Sequence, residues 1–171
     1  MNVVKGKCTV ALFFTILMFA HSVLFAQKKE HIFKIVRNKN SNIFNFDVIL
    51  RDDDTITIDA YWIMNTEHGQ RKKMSLTEKK AYGYTIKHNI AGHYDLILTA
   101  VPSKIIKIVK TSNGIKAIIK INEKEAYLST VYIFAKNDFI MPKVLYYTIT
   151  GEDICTGAKV TEKINLIQQR K

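Results

Sequence analysis

Ile56-Thr57-Ile58-Asp59-Ala60-Tyr61-Trp62-Ile63-Met64 is the stretch from which the fold can be read, because it is rich in β-branched and aromatic residues and holds the one tryptophan of the chain. Strand alternation puts Ile56, Ile58, Ala60, Trp62 and Met64 on one face and Thr57, Asp59, Tyr61 and Ile63 on the other. The first face is uniformly apolar and predicts core. The second is amphipathic, so it is either half solvated or covered by another layer, and Asp59 beside Tyr61 is the polar chemistry it displays.

Immediately upstream, Ile43 to Leu50 alternates in the same way, with Phe44, Phe46, Val48 and Leu50 toward the core and Asn45 and Asp47 facing away. His31 to Arg37 reads as a strand before it, separated by the turn cluster Asn38 to Asn42. Between the two alternating runs lies Arg51-Asp52-Asp53-Asp54-Thr55. These aspartates lack the glycine and glutamate of a helix-loop-helix calcium loop and read as a solvated turn.

Downstream, Thr66 to Gln70 is a turn followed by basic Arg71-Lys72-Lys73, and Ser75-Leu76-Thr77-Glu78 has the spacing of a capping box. A short helix through Lys79, Lys80, Ala81 and Tyr82 is expected, ended by Gly83 in the left-handed conformation. Tyr84 to Ile90 and Tyr94 to Val101 form the next strands. A two-residue turn sets His88 opposite Asp95, and a four-residue turn sets it opposite His93. Two histidines without a third ligand predict no metal site.

Asn113-Gly114 predicts a two-residue hairpin turn between Lys104 to Lys110 and Ile115 to Ile121, pairing Ser112 with Ile115 and placing Lys107 opposite Lys120. After a turn at Asn122 to Glu125, Ala126 to Ala135 is apolar on both faces, as a covered strand is. Lys136 to Pro142 is the longest loop. Lys143 to Thr150 is a strand, Gly151-Glu152-Asp153 and Thr156-Gly157 are turns, and Lys159 to Leu166 closes the sheet. About nine or ten short strands with one short helix predict an all-β fold, an antiparallel β-sandwich or barrel.

A chain of 171 residues with 47% apolar and 24% charged content suffices for one domain with its own core. Residues 1–26 read as a signal peptide: Lys5 and Lys7 precede the apolar run from Cys8 to Ala20, and small residues allow cleavage after Ala26 or after Ser22. Residues 27–171 then form a single β-rich domain exported to the periplasm or secreted, with no transmembrane span after cleavage. Its basic residues fall from 26 to 24 with the loss of Lys5 and Lys7, and against 15 acids they give a net charge of +9. Cys155 stands without a pairing partner in that domain and reads as a half-buried small hydrophobe.

The catalytic signatures G-x-S-x-G, P-loop, H-E-x-x-H and C-x-x-C are absent from the sequence, and no cofactor is implied. A carboxylate pair such as Asp59 with Glu152 or Asp153 is the one arrangement that suggests a hydrolase acting on a glycan or lipid head group. Aromatic planes beside cations suit an acidic glycan, a lipid head group or an envelope protein instead. The candidate ligand-binding residues are therefore Asp59, Tyr61, Lys79, Lys80, Tyr82 and Tyr84, with Glu152 and Asp153 secondary. Export argues against nucleic acid as a partner, and the oligomeric state is left open.

Five segments carry a family resemblance: His31 to Asn40 (HIFKIVRNKN), Ile58 to Ile63 (IDAYWI), Glu78 to Tyr84 (EKKAYGY), Gly151-Glu152-Asp153, and Glu162-Lys163-Ile164 after it. In these the chain resembles the exported bacterial domain-of-unknown-function family DUF4833. The resemblance implies a shared fold and export, and supplies no catalytic residues. The reading that follows is an exported, non-enzymatic binding or structural module of the cell envelope.

Overall fold

The computed structural model describes residues 28–51, 55–88, 93–136 and 143–166, and of Thr77, Lys80, Ala81, His88 and Lys143 the backbone alone. The segment expected to be a signal peptide, the aspartate run at 52–54, the turn expected at 89–92 and the loop expected at 137–142 lie outside these residues. Eleven strands follow in order: β1 Lys29–Arg37, β2 Ile43–Leu50, β3 Ile56–Met64, β4 Gln70–Lys73, β5 Tyr84–His88, β6 Tyr94–Leu98, β7 Ile105–Thr111, β8 Gly114–Ile121, β9 Lys124–Lys136, β10 Lys143–Asp153 and β11 Lys159–Asn165. A 3-10 turn, Asn65–Glu67, follows β3, and the helix α1, Leu76–Tyr82, lies between β4 and β5.

The fold is all-β and mostly antiparallel, with all eleven strands joined in one open hydrogen-bonded sheet. Its hub is β9, whose 13 residues are long enough to be shared. One edge of β9 pairs antiparallel with β8 through Lys124 to Tyr127 and then parallel with β1 through Thr130 to Ile133. The other edge pairs with β10, which carries β11. Two arms thus diverge from the same edge, β1-β2-β3-β4 and β8-β7-β6-β5. The parallel β1–β9 pair joins segments about a hundred residues apart, and no hairpin signal could announce it.

The inner faces of the arms meet and exclude water. Phe46 of β2 is fully buried, stacked on Phe33 at 4.4 Å and edge-on to Tyr84 of the opposite arm at 5.4 Å. Trp62 is covered by Tyr82 at 5.4 Å and by the Arg37 guanidinium at 4.5 Å. Burying an aliphatic or aromatic side chain of this kind stabilises by roughly 1.5–3 kcal/mol, so this seam holds the arms together. One polar contact supplements it, the Ile115 N–H donating to Glu30 Oε2 at 2.7 Å, while Lys104 Nζ, donating to Glu162 Oε2 at 2.8 Å, ties the start of β7 to β11.

Several expectations are met: β2 and β3 run over the expected residues, and the Ser75–Glu78 capping box is made on both sides. Others are corrected. Basic Arg71-Lys72-Lys73 belongs to strand β4, because the 3-10 turn brings it back alongside β3. Gly151-Glu152-Asp153 is the end of β10, and the turn begins at Ile154. Cys155 is exposed on that turn. Gly83 is extended, with φ −67° and ψ 175°. Glycine is needed there because a Cβ would run into the carbonyl oxygen of Lys79, which accepts the Gly83 N–H at 2.9 Å.

The β5–β6 and β7–β8 hairpins both take a register that counting did not give. His88 stands opposite Tyr94 and Lys87 opposite Asp95. In β7–β8, Thr111 pairs with Gly114, fixed by Thr111 Oγ1 donating to the Gly114 carbonyl at 2.8 Å. That two-residue shift preserves the faces but places Lys107 opposite Ile118, and Lys120 opposite Glu125. The expected lysine repulsion is removed.

Candidate functional site

The face of β3 opposite Trp62 is the outer surface of seven consecutive strands, in the order β4-β3-β2-β1-β9-β10-β11. Register carries its side chains into rows. One row runs Lys73, Tyr61, Asn45, Lys34, Thr130, Thr150, Thr161, and the next runs Arg71, Ile63, Ile43, Val36, Tyr132, Thr148, Lys163.

At one end of this face, Asp47 and Asp59 are direct cross-strand partners. Tyr61 Oη donates to Asp47 Oδ2 at 2.7 Å, and His31 Nδ1 lies 2.9 Å from Asp47 Oδ1. Lys29 Nζ bridges both carboxylates, 3.1 Å from Asp47 and 2.9 Å from Asp59, while Arg71 pairs with Asp59. The Arg71 guanidinium lies 3.5 Å from the centre of the Tyr61 ring, with Lys29 Nζ at 4.9 Å.

Burial works to raise the Asp47 carboxyl, but hydrogen bonds from Tyr61, His31 and Lys29 outweigh it and hold the group below the ordinary carboxylate range. Asp59 follows the same logic, with burial overcome by Arg71 and Lys29. Tyr61 is pushed up by burial and by its bond to Asp47. The Arg71 guanidinium is raised, mainly by its bond to Asp59.

Farther along, Tyr146 is stacked on Phe134 at 4.8 Å with Lys163 Nζ 3.9 Å from its ring centre. Where β1 and β8 part on β9 there is a groove of about 360 Å³ lined by His31, Lys116, Ser129, Thr150, Glu152 and Lys159, with Ile32, Ala117 and Leu128 beneath. A bulge in β1 between His31 and Phe33 turns His31 outward and sends Ile32 inward. His31 therefore belongs both to the carboxylate network and to the groove.

The residues singled out from sequence fall into three places. Asp59 and Tyr61 are together in the network. Tyr82 and Tyr84 are on the inner side: Tyr82 packs on Trp62 and accepts from Arg37 Nη1 at 3.4 Å, while Tyr84 packs on Phe46. Lys79 is exposed on α1, and Lys80 has only its backbone described there. Glu152 lines the groove, whereas Asp153 is buried and accepts from the Cys155 and Thr156 N–H groups at 2.9 and 3.0 Å, capping the β10–β11 turn. Asp47, His31, Lys29 and Arg71 were not selected. Asp47 was legible, since pairing Leu50 with Ile56 across the connection sets it opposite Asp59.

Among the described residues, no cluster of three or more His, Cys, Asp or Glu side chains suited to a metal occurs, and no helix is long and apolar enough to cross a membrane. Residues 33–163 match the family model described as Domain of unknown function (DUF4833). No curated protein and no solved structure matches the chain.

Proposed function

The chain belongs to the DUF4833 family, and from that premise we propose that it is an exported binding module of the cell envelope whose outer face takes an acidic glycan. We read its two arms as the layers of a sandwich. The observation that carries the binding reading is the outer face itself, where Lys34, Lys73 and Lys163 alternate with Tyr61, Tyr132, Tyr146 and a threonine row. Asp47 and Asp59 are neutralised by Lys29 and Arg71, while Lys34 and Lys73 have no carboxylate partner among the described residues. The face offers ammonium groups for anions and hydroxyls for a sugar.

A lipid surface fits less well. Among the described residues the large exposed apolar side chains Leu76, Ile86 and Ile105 lie on α1, β5 and β7, off this face, which there offers no apolar wedge to a bilayer. The hydrolase alternative needs one carboxyl kept protonated beside an ionised one. Asp47 and Asp59 are both pushed down, and Asp153 is occupied as a turn cap.

The test is binding of a polyuronate, with neutral dextran and anionic lipid vesicles as comparisons. The polyuronate binds, weakens with added salt, and loses at least tenfold in affinity in the Lys34→Gln, Lys73→Gln, Lys163→Gln triple variant. Equal binding of dextran, stronger binding of vesicles, or an unchanged triple variant rejects the reading.

A further inference from the structure

We propose that the groove where β1 and β8 part on β9 is a subsite for one uronate unit, a sugar ring carrying a carboxylate and free hydroxyls. This rests on the glycan reading above and assigns the place where one unit is recognised.

The groove exists because the sheet branches. β8 is paired with β9 as far as Tyr127 and β1 only from Thr130, so Leu128 and Ser129 have no cross-strand partner on that edge. Ligand sites form where neighbouring strands diverge, since that is where a sheet leaves a crevice with polar groups converging on it. Here they converge from five strands: His31 on β1, Lys116 on β8, Ser129 on β9, Glu152 on β10, and Lys159 at the start of β11. The volume of about 360 Å³ suits a small ligand.

The polarity of these groups specifies the chemistry. Lys116 and Lys159 can only donate, and both are cationic, so the ligand must bring an anion. Glu152 accepts. His31 Nδ1 lies 2.9 Å from Asp47 Oδ1, and the tautomer that donates Nδ1–H to that carboxylate has Nε2 as an acceptor. Ser129 Oγ spends its proton on the Thr150 carbonyl at 3.0 Å and is likewise left as an acceptor. Three acceptors beside two cations ask for several O–H donors and one negative group on the same molecule. An acidic sugar has both, a neutral sugar lacks the anion, and sulfate lacks the donors.

Asp47 acts through His31 as a positioning residue, because it fixes the tautomer and ring orientation without lining the groove. The same Asp47 accepts from Tyr61, so the subsite is mechanically continuous with the network on β3.

Glucuronate, glucose and sulfate are titrated against the full chain by calorimetry, with near-ultraviolet circular dichroism to establish folding of each variant. Glucuronate is expected to bind at least tenfold more tightly than glucose or sulfate. The Lys116→Gln, Lys159→Gln double variant loses at least tenfold for glucuronate. Glu152→Ala weakens glucuronate at least threefold while strengthening sulfate, a divergence that loss of fold does not produce. Equal binding of glucose, an unchanged double variant, or parallel effects of Glu152→Ala on glucuronate and sulfate overturns the subsite. If the double variant fails to fold, the exposed Lys159→Gln single variant, expected to lose at least threefold, decides in its place. Polyuronate binding without glucuronate binding refutes the subsite and leaves the outer-face reading standing; absence of both refutes both.

Discussion

Asp47 and Asp59 stand directly opposite one another on β2 and β3, two like charges in a position where repulsion is strongest, and the cations that reconcile them come from the strands on either side. Lys29 from β1 touches both carboxylates and Arg71 from β4 holds Asp59. Four strands are therefore cross-linked on their outer face by one charge network, independently of the apolar seam behind it.

That network predicts a sign for the acid response. Both carboxyls have folded-state values below those of the unfolded chain, so their contribution is complete above the unfolded value of about 4 and is lost as pH falls through the folded values. Urea unfolding should show flat stability from this source between about pH 5 and 7 and a decline below about pH 4. Asp47→Asn should lower stability at pH 7 and flatten the acid limb.

Tyr61→Phe removes the donor to Asp47 while keeping the ring under Arg71. A hydrogen bond to a charged acceptor is worth about 1.5–3 kcal/mol, and Asp47 is nearly buried, so a loss at the lower end of that range is expected in urea melts. The acid limb should also move to higher pH, because Asp47 loses one of the bonds that hold its carboxyl down.

Phe46→Ala should cost about 3–5 kcal/mol, since a fully buried aromatic ring leaves a cavity as well as lost transfer energy. Its ring contacts reach both arms, through Phe33 and Tyr84. Thermal melts should show the whole domain destabilised in one transition. A two-step melt would mean that the arms unfold separately.

Gly83→Ala should destabilise by about 1–3 kcal/mol, because the added Cβ overlaps the Lys79 carbonyl oxygen and the end of α1 must shift. Backbone conformation is not the cause, as φ is −67°. Substitution of Gly83 by a β-branched residue should therefore be no worse in kind, and the loss should track Cβ crowding when measured by chemical denaturation.

The legible parts of the fold were local. Alternation in β2 and β3 identified their buried faces, and Ser75 with Glu78 announced α1, because these signals are written in neighbouring residues. What the sequence withheld was non-local or depended on side-chain geometry. The register of β7–β8 is set by Thr111 rather than by the Asn113-Gly114 pair alone. Arg71 was not read as strand because its strand is four residues long and carries no apolar alternation. His31 reaches Asp47 through a bulge that periodicity does not reveal. Tyr82 and Tyr84 were read as ligand contacts because tyrosines serve cores and surfaces equally well, and both are half-buried with their rings packed against the core.

The shared edge of β9 also orders events in time. β1 is made before every other described strand, yet its parallel neighbour β9 is completed only when Lys136 has been synthesised. Until then β1 offers an open edge, and neither arm has the strand on which both are hung. A chain so wired gains little by folding early, since the long loop must be closed before the central pairing rewards it. A chain made only as far as β6 therefore lacks the strand on which both arms hang, and the domain sets only once β9 is present.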